Sequence, residues 1–145
     1  MAKEKTQMLH RKGGLYLQDA GHKGRGVFCT TGIKAGEVLE VSPALILDET
    51  DTDQIEDTIL CNYVFEVGDI PPAVRKRYGI AKTGACSAAI MGVASFCNHD
   101  EHPNATIEWE EIDGTLYYSL RATRAIPKGK EICTSYGDGW FDDRK

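Results

Sequence analysis

Two segments carry side chains whose types and order could do chemistry: Asn98-His99-Asp100-Glu101-His102-Pro103-Asn104 and Glu131-Ile132-Cys133-Thr134-Ser135-Tyr136-Gly137. Neither is a metal or nucleophile motif, so any chemistry built on them must use amides, main chain and a phenol. Taken alone, Asn-His-x-x-x-Pro-Asn fits a surface turn, because such residues bond their own backbone. Ile132 to Tyr136 before Gly137 reads as a strand ending at a breaker. Two other stretches add weight. Gly21-His22-Lys23-Gly24-Arg25-Gly26-Val27-Phe28 sets three glycines ahead of an apolar strand start, where exposed N–H groups can approach a ligand closely. Ala85 to Cys97, immediately before Asn98, is almost all small and apolar, which lets neighbouring backbone pack tightly.

The cysteines point away from metal and thiol chemistry. Cys29, Cys61, Cys86, Cys97 and Cys133 are odd in number and none has Cys-x-x-Cys spacing, so buried thiols acting as small hydrophobes are the favoured reading. A zinc site from Cys97, His99 and His102 would need an unusual ligand loop around Asn98 and Pro103. Cys97 and His99 as nucleophile and base would be neighbours in sequence, whereas such pairs normally meet from distant parts of a chain.

In their order and spacing, Gly-x-Gly-Val-Phe at Gly24 to Phe28, Asn-His-x-x-x-Pro-Asn at Asn98 to Asn104 and Glu-Ile-x-x-Ser-Tyr-Gly at Glu131 to Gly137 resemble the SET-domain protein lysine methyltransferases. The likeness runs from about Gly14 to Phe141 and is greatest to the minimal viral and bacterial type. It implies a mostly β, β-clip-like fold with short helices and a C-terminal pseudoknot, the segment after Tyr136 threading beneath the Asn98 loop. It also implies S-adenosyl-L-methionine as methyl donor. By the same resemblance Lys23, Gly24, Arg25, Gly26, Tyr63, Asn98, His99, Tyr136 and Phe141 would bind the cofactor. Tyr136 would be the catalytic phenol, and Tyr63, Ile107, Thr134 and Trp140 would wall the substrate channel. Two departures stand out. Only nine residues follow Tyr136 and none is Cys, where many relatives close the channel with a zinc module. Either Trp140 and Phe141 suffice or a second subunit helps, which leaves room for a homodimer. Thr134 occupies the position where relatives often carry the Phe or Tyr that limits methylation, so the product degree stays open.

The elements that must position these residues read mostly as strands: Gly14 to Gln18, Gly26 to Cys29, Val38 to Val41, and a hairpin of Thr106 to Ile112 and Thr115 to Ala122 about Asp113-Gly114. The alternation of Leu116, Tyr118 and Leu120 with Tyr117, Ser119 and Arg121 predicts one buried face. Helices are expected in the acidic stretch Asp48 to Asp57, at Ala73 to Tyr78 and at Ala85 to Ala94, with Asn62 to Phe65 extended. Ile33-Lys34-Ala35-Gly36-Glu37-Val38-Leu39 is echoed by Ile126-Pro127-Lys128-Gly129-Lys130-Glu131-Ile132, as similar turns feeding similar strands.

At 145 residues, with 41% hydrophobic and 27% charged, the chain is expected to be a flexible tail over 1–13 and one catalytic domain over 14–145. Met1 to Lys12 lacks the apolar core of a secretory signal, and no run approaches the roughly 20 apolar residues of a membrane span, so a cytoplasmic or nuclear location is expected. The net charge of −5 disfavours direct nucleic-acid binding and either suits a basic protein or peptide substrate, histone-like or ribosomal, drawn by carboxylates such as Glu108, Glu110 and Glu111, or merely aids solubility. Two other readings stand beside the enzyme: a SET-fold peptide-binding module without activity, and a structural β-rich protein whose motifs are turns.

Overall fold

The strongest local signals give the frame of the computed structural model, which describes residues 7–21, 24–68, 70–80 and 86–135. Strands are β1 (His10–Arg11), β2 (Leu15–Asp19), β3 (Arg25–Cys29), β4 (Val38–Leu47), β5 (Val64–Gly68), β6 (Cys86–Ile90), β7 (Asn98–His99), β8 (Ala105–Ile112), β9 (Thr115–Ala122) and β10 (Cys133–Thr134). The helices are short: α1 (Glu49–Ile55), α2 (Pro72–Tyr78) and two 3₁₀ segments, Ile59–Tyr63 and Val93–Phe96. The mostly β expectation holds. The segment expected to form the pseudoknot follows Tyr136 and lies outside the described residues.

The β8–β9 hairpin turns at Asp113 and Gly114 with φ of 50° and 84°, the two positive values that a two-residue turn matched to strand twist requires. On β9, Leu116, Tyr118, Leu120 and Ala122 are buried while the alternate residues are half-exposed, the period of two that the sequence carries. β4 is the spine of the main sheet, whose order is β5-β6-β4-β9-β8 with β1 also on β4. It pairs with β9 over Val38 to Pro43, with β1 at Glu40 and Val41, and with β6 over Ala44 to Leu47. Residues 10 and 11, expected to lie in a flexible tail, are thus held in the sheet, and Lys12 N–H donates to the Leu39 carbonyl at 2.8 Å. Two separate pairs complete the sheets among the described residues: antiparallel β2–β3 and parallel β7–β10.

The expected helix over Ala85 to Ala94 is instead β6 followed by the 3₁₀ segment Val93–Phe96; Ala85 is outside the described residues. β6 lies between β4 and β5, with Cys86, Ser87, Ala88 and Ile90 buried. A strand enclosed on both faces shows an unbroken apolar run, and periodicity cannot tell such a run from a buried helix. Asn62 and Tyr63, expected extended, end the first 3₁₀ segment, and only Val64 and Phe65 enter β5. The acidic stretch does form α1, where Asp48 caps the helix by accepting from Asp51 N–H at 2.8 Å. α2 begins at Pro72 and stops at Gly79, whose φ of 69° ends it in the left-handed region.

The two echoed segments meet. Ile33 N–H donates to the Ile126 carbonyl at 2.8 Å and Ile126 N–H to the Ile33 carbonyl at 2.9 Å. Gly36 N–H then reaches the Ala122 carbonyl and Gly129 N–H the Cys29 carbonyl, so each turn caps the strand that leads into the other. Both isoleucines are buried in one core with Val27, Leu39, Leu120 and Ile132. Four of the cysteines are buried thiols as expected; Cys61 is exposed on the first 3₁₀ segment, where its apolar neighbours Ile59 and Leu60 are exposed too.

Candidate functional site

β3 opens at Arg25, straight after the glycine turn, and runs beside β7, which opens at Asn98. Gly24 and Arg25 from the turn, Asn62 and Tyr63 from the first 3₁₀ segment, Ser95 and Phe96 from the second, and Cys97 and Asn98 just beyond it line one polar cleft of about 220 Å³. Segments far apart in the chain therefore converge there. Gly24 sits at φ +80° with open space where a side chain would start, so its backbone faces the cleft unobstructed. The Tyr63 and Phe96 rings pack at 5.4 Å, tilted by 51°, which holds one aromatic wall by its partner.

Asn98 is fixed by its own amide. Nδ2 donates to the Glu131 carboxylate (Oε2) at 2.7 Å and to the Arg25 carbonyl at 3.2 Å, which ties the glycine turn to the start of the last motif. With both N–H directions used, Oδ1 is the end of the amide left to accept a donor. Gly26 makes this clamp fit: a Cβ there would collide with Glu131 Oε2 and come within 3.1 Å of Asn98 Nδ2. Asn104 closes the other end, its Nδ2 donating to the Glu131 carbonyl at 2.9 Å and its Oδ1 accepting from Cys133 N–H at 2.8 Å. The Asp100 and Asn104 N–H groups donate to the Thr134 and Cys133 carbonyls. Asn-His-x-x-x-Pro-Asn is thus a clip in which one asparagine grips the cleft and the other grips β10.

Of the residues expected at the site, Gly24, Arg25, Tyr63 and Asn98 line the cleft, and Gly26 lies against the Glu131–Asn98 clamp. His99 is exposed on β7, pairs with Thr134 across the parallel bridge, and is not on the cleft wall. Thr134 is 1% exposed, and its Oγ1 makes no hydrogen bond to the described residues. Ile107, expected in the substrate channel, is a buried residue of β8 opposite Leu120 and does not line this cleft. Lys23, Tyr136, Trp140 and Phe141 lie outside the described residues. Sequence reasoning missed the role of Glu131, although a charge opening an apolar strand was a visible signal. It missed Ser95 and Phe96, which follow the misread helix and belong to none of the motifs.

Burial pushes the Cys97 thiol up, reinforced by nearby Cys133, Glu40 and Glu131, so it stays protonated and is no nucleophile. Among the described residues no three His, Cys, Asp or Glu side chains are grouped to hold a metal ion. No helix among them is long and apolar enough to cross a membrane.

The SET-domain family model matches residues 24–137, from the glycine turn to the end of the last motif. The chain belongs to the SET-domain family. This SET domain is 32% identical over 133 residues to a histone-lysine N-methyltransferase of Schizosaccharomyces pombe specific for H3 lysine-37, covering 89% of this chain and 78% of that protein. It is 34% identical over 64 residues to the Gibberella zeae histone-lysine N-methyltransferase SET9, covering 44% of this chain and 9% of that one. Its fold is that of the Neurospora SET domain protein DIM-5, a histone lysine methyltransferase, with a TM-score of 0.65 and 21% identity over 88% of this chain and 54% of that one. A candidate histone methyltransferase of Plasmodium falciparum matches at a TM-score of 0.64 and 23% identity, over 90% of this chain and 99% of that chain.

Proposed function

We propose that this SET domain is an S-adenosyl-L-methionine-dependent protein-lysine N-methyltransferase acting on a basic protein such as a histone-like tail. The observation that carries the reading is the convergence of Gly24, Arg25, Tyr63 and Asn98 on one cleft in a chain of this family. Its donor set suits the cofactor: open backbone at Gly24, a fixed amide oxygen at Asn98 for an ammonium group, and an aromatic face at Tyr63. When bound, S-adenosylmethionine supplies a methyl group already activated on a sulfonium. The chain's task is then to bind, align and keep water out, and orientation is the main contribution. Lysine has a pKa near about 10.4 and must arrive neutral; an apolar channel disfavours its ammonium form. The Glu131 clamp fixes Asn98 from behind, and β10 delivers the chain to Tyr136 two residues after Thr134. Tyr136 is proposed to orient methyl and amine through its phenol oxygen. The deciding experiment is labelled methyl transfer onto a panel of basic proteins, read by mass spectrometry. Cofactor binding without transfer to any lysine would leave a peptide-binding module instead.

Asn98→Ala tests the cofactor site. A ligand at a hundred times its Kd stabilises the wild type by about 2.7 kcal/mol, so S-adenosylhomocysteine should raise its melting temperature by several degrees. The variant, folded by circular dichroism, should show no such shift. An unchanged shift refutes Asn98 as a cofactor residue.

Two of the three carboxylates first expected to draw a basic substrate are engaged locally. Glu108 is paired with Arg121, and Glu111 accepts from Gly114 N–H in the hairpin turn. They also sit on β8, four strand spacings from β5, or about 19 Å along the sheet. The acidic run on and after α1 is better placed. Asp48, Glu49, Asp51, Asp53, Glu56 and Asp57 lead directly into the segment that carries Asn62 and Tyr63 to the cleft. If they steer the substrate, its KM should rise as salt shortens the Debye length from roughly 10 Å to 3 Å. Salt-independent kinetics would leave the charge with no role in recognition.

A further inference from the structure

β1 precedes the stretch matched by the SET-domain model, yet one of its side chains reaches the interior. Arg11 Nε donates to Glu40 Oε2 at 3.1 Å; the arginine side chain is 55% exposed and the glutamate side chain 0%. Glu40 has three further partners, and two belong to the cleft's own scaffold. Val93 N–H donates to its Oε2 at 3.0 Å and Ala94 N–H to its Oε1 at 3.2 Å. Both amides open the 3₁₀ segment whose next residues, Ser95 to Asn98, wall the cleft. Tyr118 O–H donates to Oε1 from β9, and its phenol is pushed up by burial and by the carboxylate beside it. Space around the carboxylate is tight, since a Cβ at Gly92 would collide with Glu40 and with the Tyr118 hydroxyl.

A buried carboxylate is tolerated only where its lone pairs and its charge are both met. Here three N–H or O–H donors and one guanidinium meet them, and two of the donors are main chain at the start of the segment that goes on to wall the cleft. We infer that Glu40 is a positioning residue for the cofactor cleft, and that Arg11, carried by the N-terminal strand, is the counter-charge that keeps Glu40 in its seat. The inference rests on the reading of that cleft as the cofactor site. Without Arg11 the carboxylate gains by turning toward water, which releases the Val93 and Ala94 amides and loosens the segment that ends at Asn98. Cofactor affinity then falls by the fraction of molecules whose wall is still in place. Chemistry, once cofactor is bound, is little changed.

The full chain is compared as wild type, Arg11→Ala, Glu40→Gln and the double variant. In Arg11→Ala, hydrogen exchange at the Val93 and Ala94 amides should quicken. The KM for S-adenosylmethionine and the Kd for S-adenosylhomocysteine should rise about tenfold while kcat at saturation stays near wild type. Arg11→Ala should add little on a Glu40→Gln background, because its effect passes through that carboxylate. A lower melting temperature with unchanged KM and unchanged exchange at those two amides overturns the inference, as does an additive double variant. If Glu40→Gln does not fold, Arg11→Ala decides alone, since Arg11 is half-exposed on a surface strand. If the wild type binds no cofactor, the proposed function fails, and amide exchange at Val93 and Ala94 still decides whether Arg11 acts on the segment.

Discussion

Tyr136→Phe is expected to slow methyl transfer by about 10²–10³-fold, the loss that follows removal of one preorganised polar group at a reacting centre. The change deletes one oxygen and keeps the ring. Affinity for S-adenosylhomocysteine should therefore stay near wild type, and the effect should appear in kcat under single-turnover conditions. Four of the five side chains that precede Tyr136 in this motif are engaged or enclosed. Glu131 is engaged with Asn98, Ile132 and Cys133 are buried in the core region, and Thr134 is enclosed on the parallel bridge. Transfer at the wild-type rate would make Tyr136 structural and remove the phenol from the mechanism.

Gly92→Ala is expected to remove a large part of the domain's stability. Gly92 has φ −176°, an extended conformation open to any residue, so backbone strain is not the reason. The reason is space: the new methyl group would meet the Glu40 carboxylate and the Tyr118 hydroxyl at once, and neither can move without leaving a buried partner unmet. Overpacking together with a disrupted buried hydrogen bond predicts a loss of about 3 kcal/mol. That is a large part of the 5–15 kcal/mol typical of a whole domain. At this chain length it should lower the melting temperature by about 10 °C. A variant that melts within two or three degrees of wild type, about 1 kcal/mol, would show that the carboxylate and hydroxyl can part without penalty.

Local chemistry decided which parts of the fold were legible in the sequence. Asp113-Gly114 and the alternation on β9 carry their structure in neighbouring residues, and both appear where expected. β6 does not, because Ser87, Ala88 and Ile90 are strand only by virtue of β4 and β5 on either side. The site divides in the same way. Gly24, Arg25 and Asn98 stand out through motif order and Tyr63 through the family resemblance alone, and one cleft gathers all four. Ile107 was placed in a channel by analogy; the pairing of β8 with β9 sets it opposite Leu120, buried and not lining this cleft. The partners that hold Asn98 and the cleft wall, Glu131 and Glu40, lie 33 and 58 residues from Asn98 in the chain. No window of local sequence pairs them, since a carboxylate that opens one strand or interrupts another looks like surface charge until its donors arrive from elsewhere.

The distribution of thiols turns the molecule into its own sensor of opening. Cys61 is exposed, so a mild alkylating reagent should modify it in the native protein, whereas Cys29, Cys86, Cys97 and Cys133 are shielded. Cys97 stands immediately before β7 and Cys133 begins β10, so these two are buried where the parallel bridge forms, Cys97 also at the cleft. Their labelling rate follows how often that bridge parts, separately from opening of the sheet that shields Cys86. A ligand seated in the cleft and closing the bridge would slow the first pair selectively, which makes mass-resolved alkylation a residue-level readout of occupancy that needs no turnover.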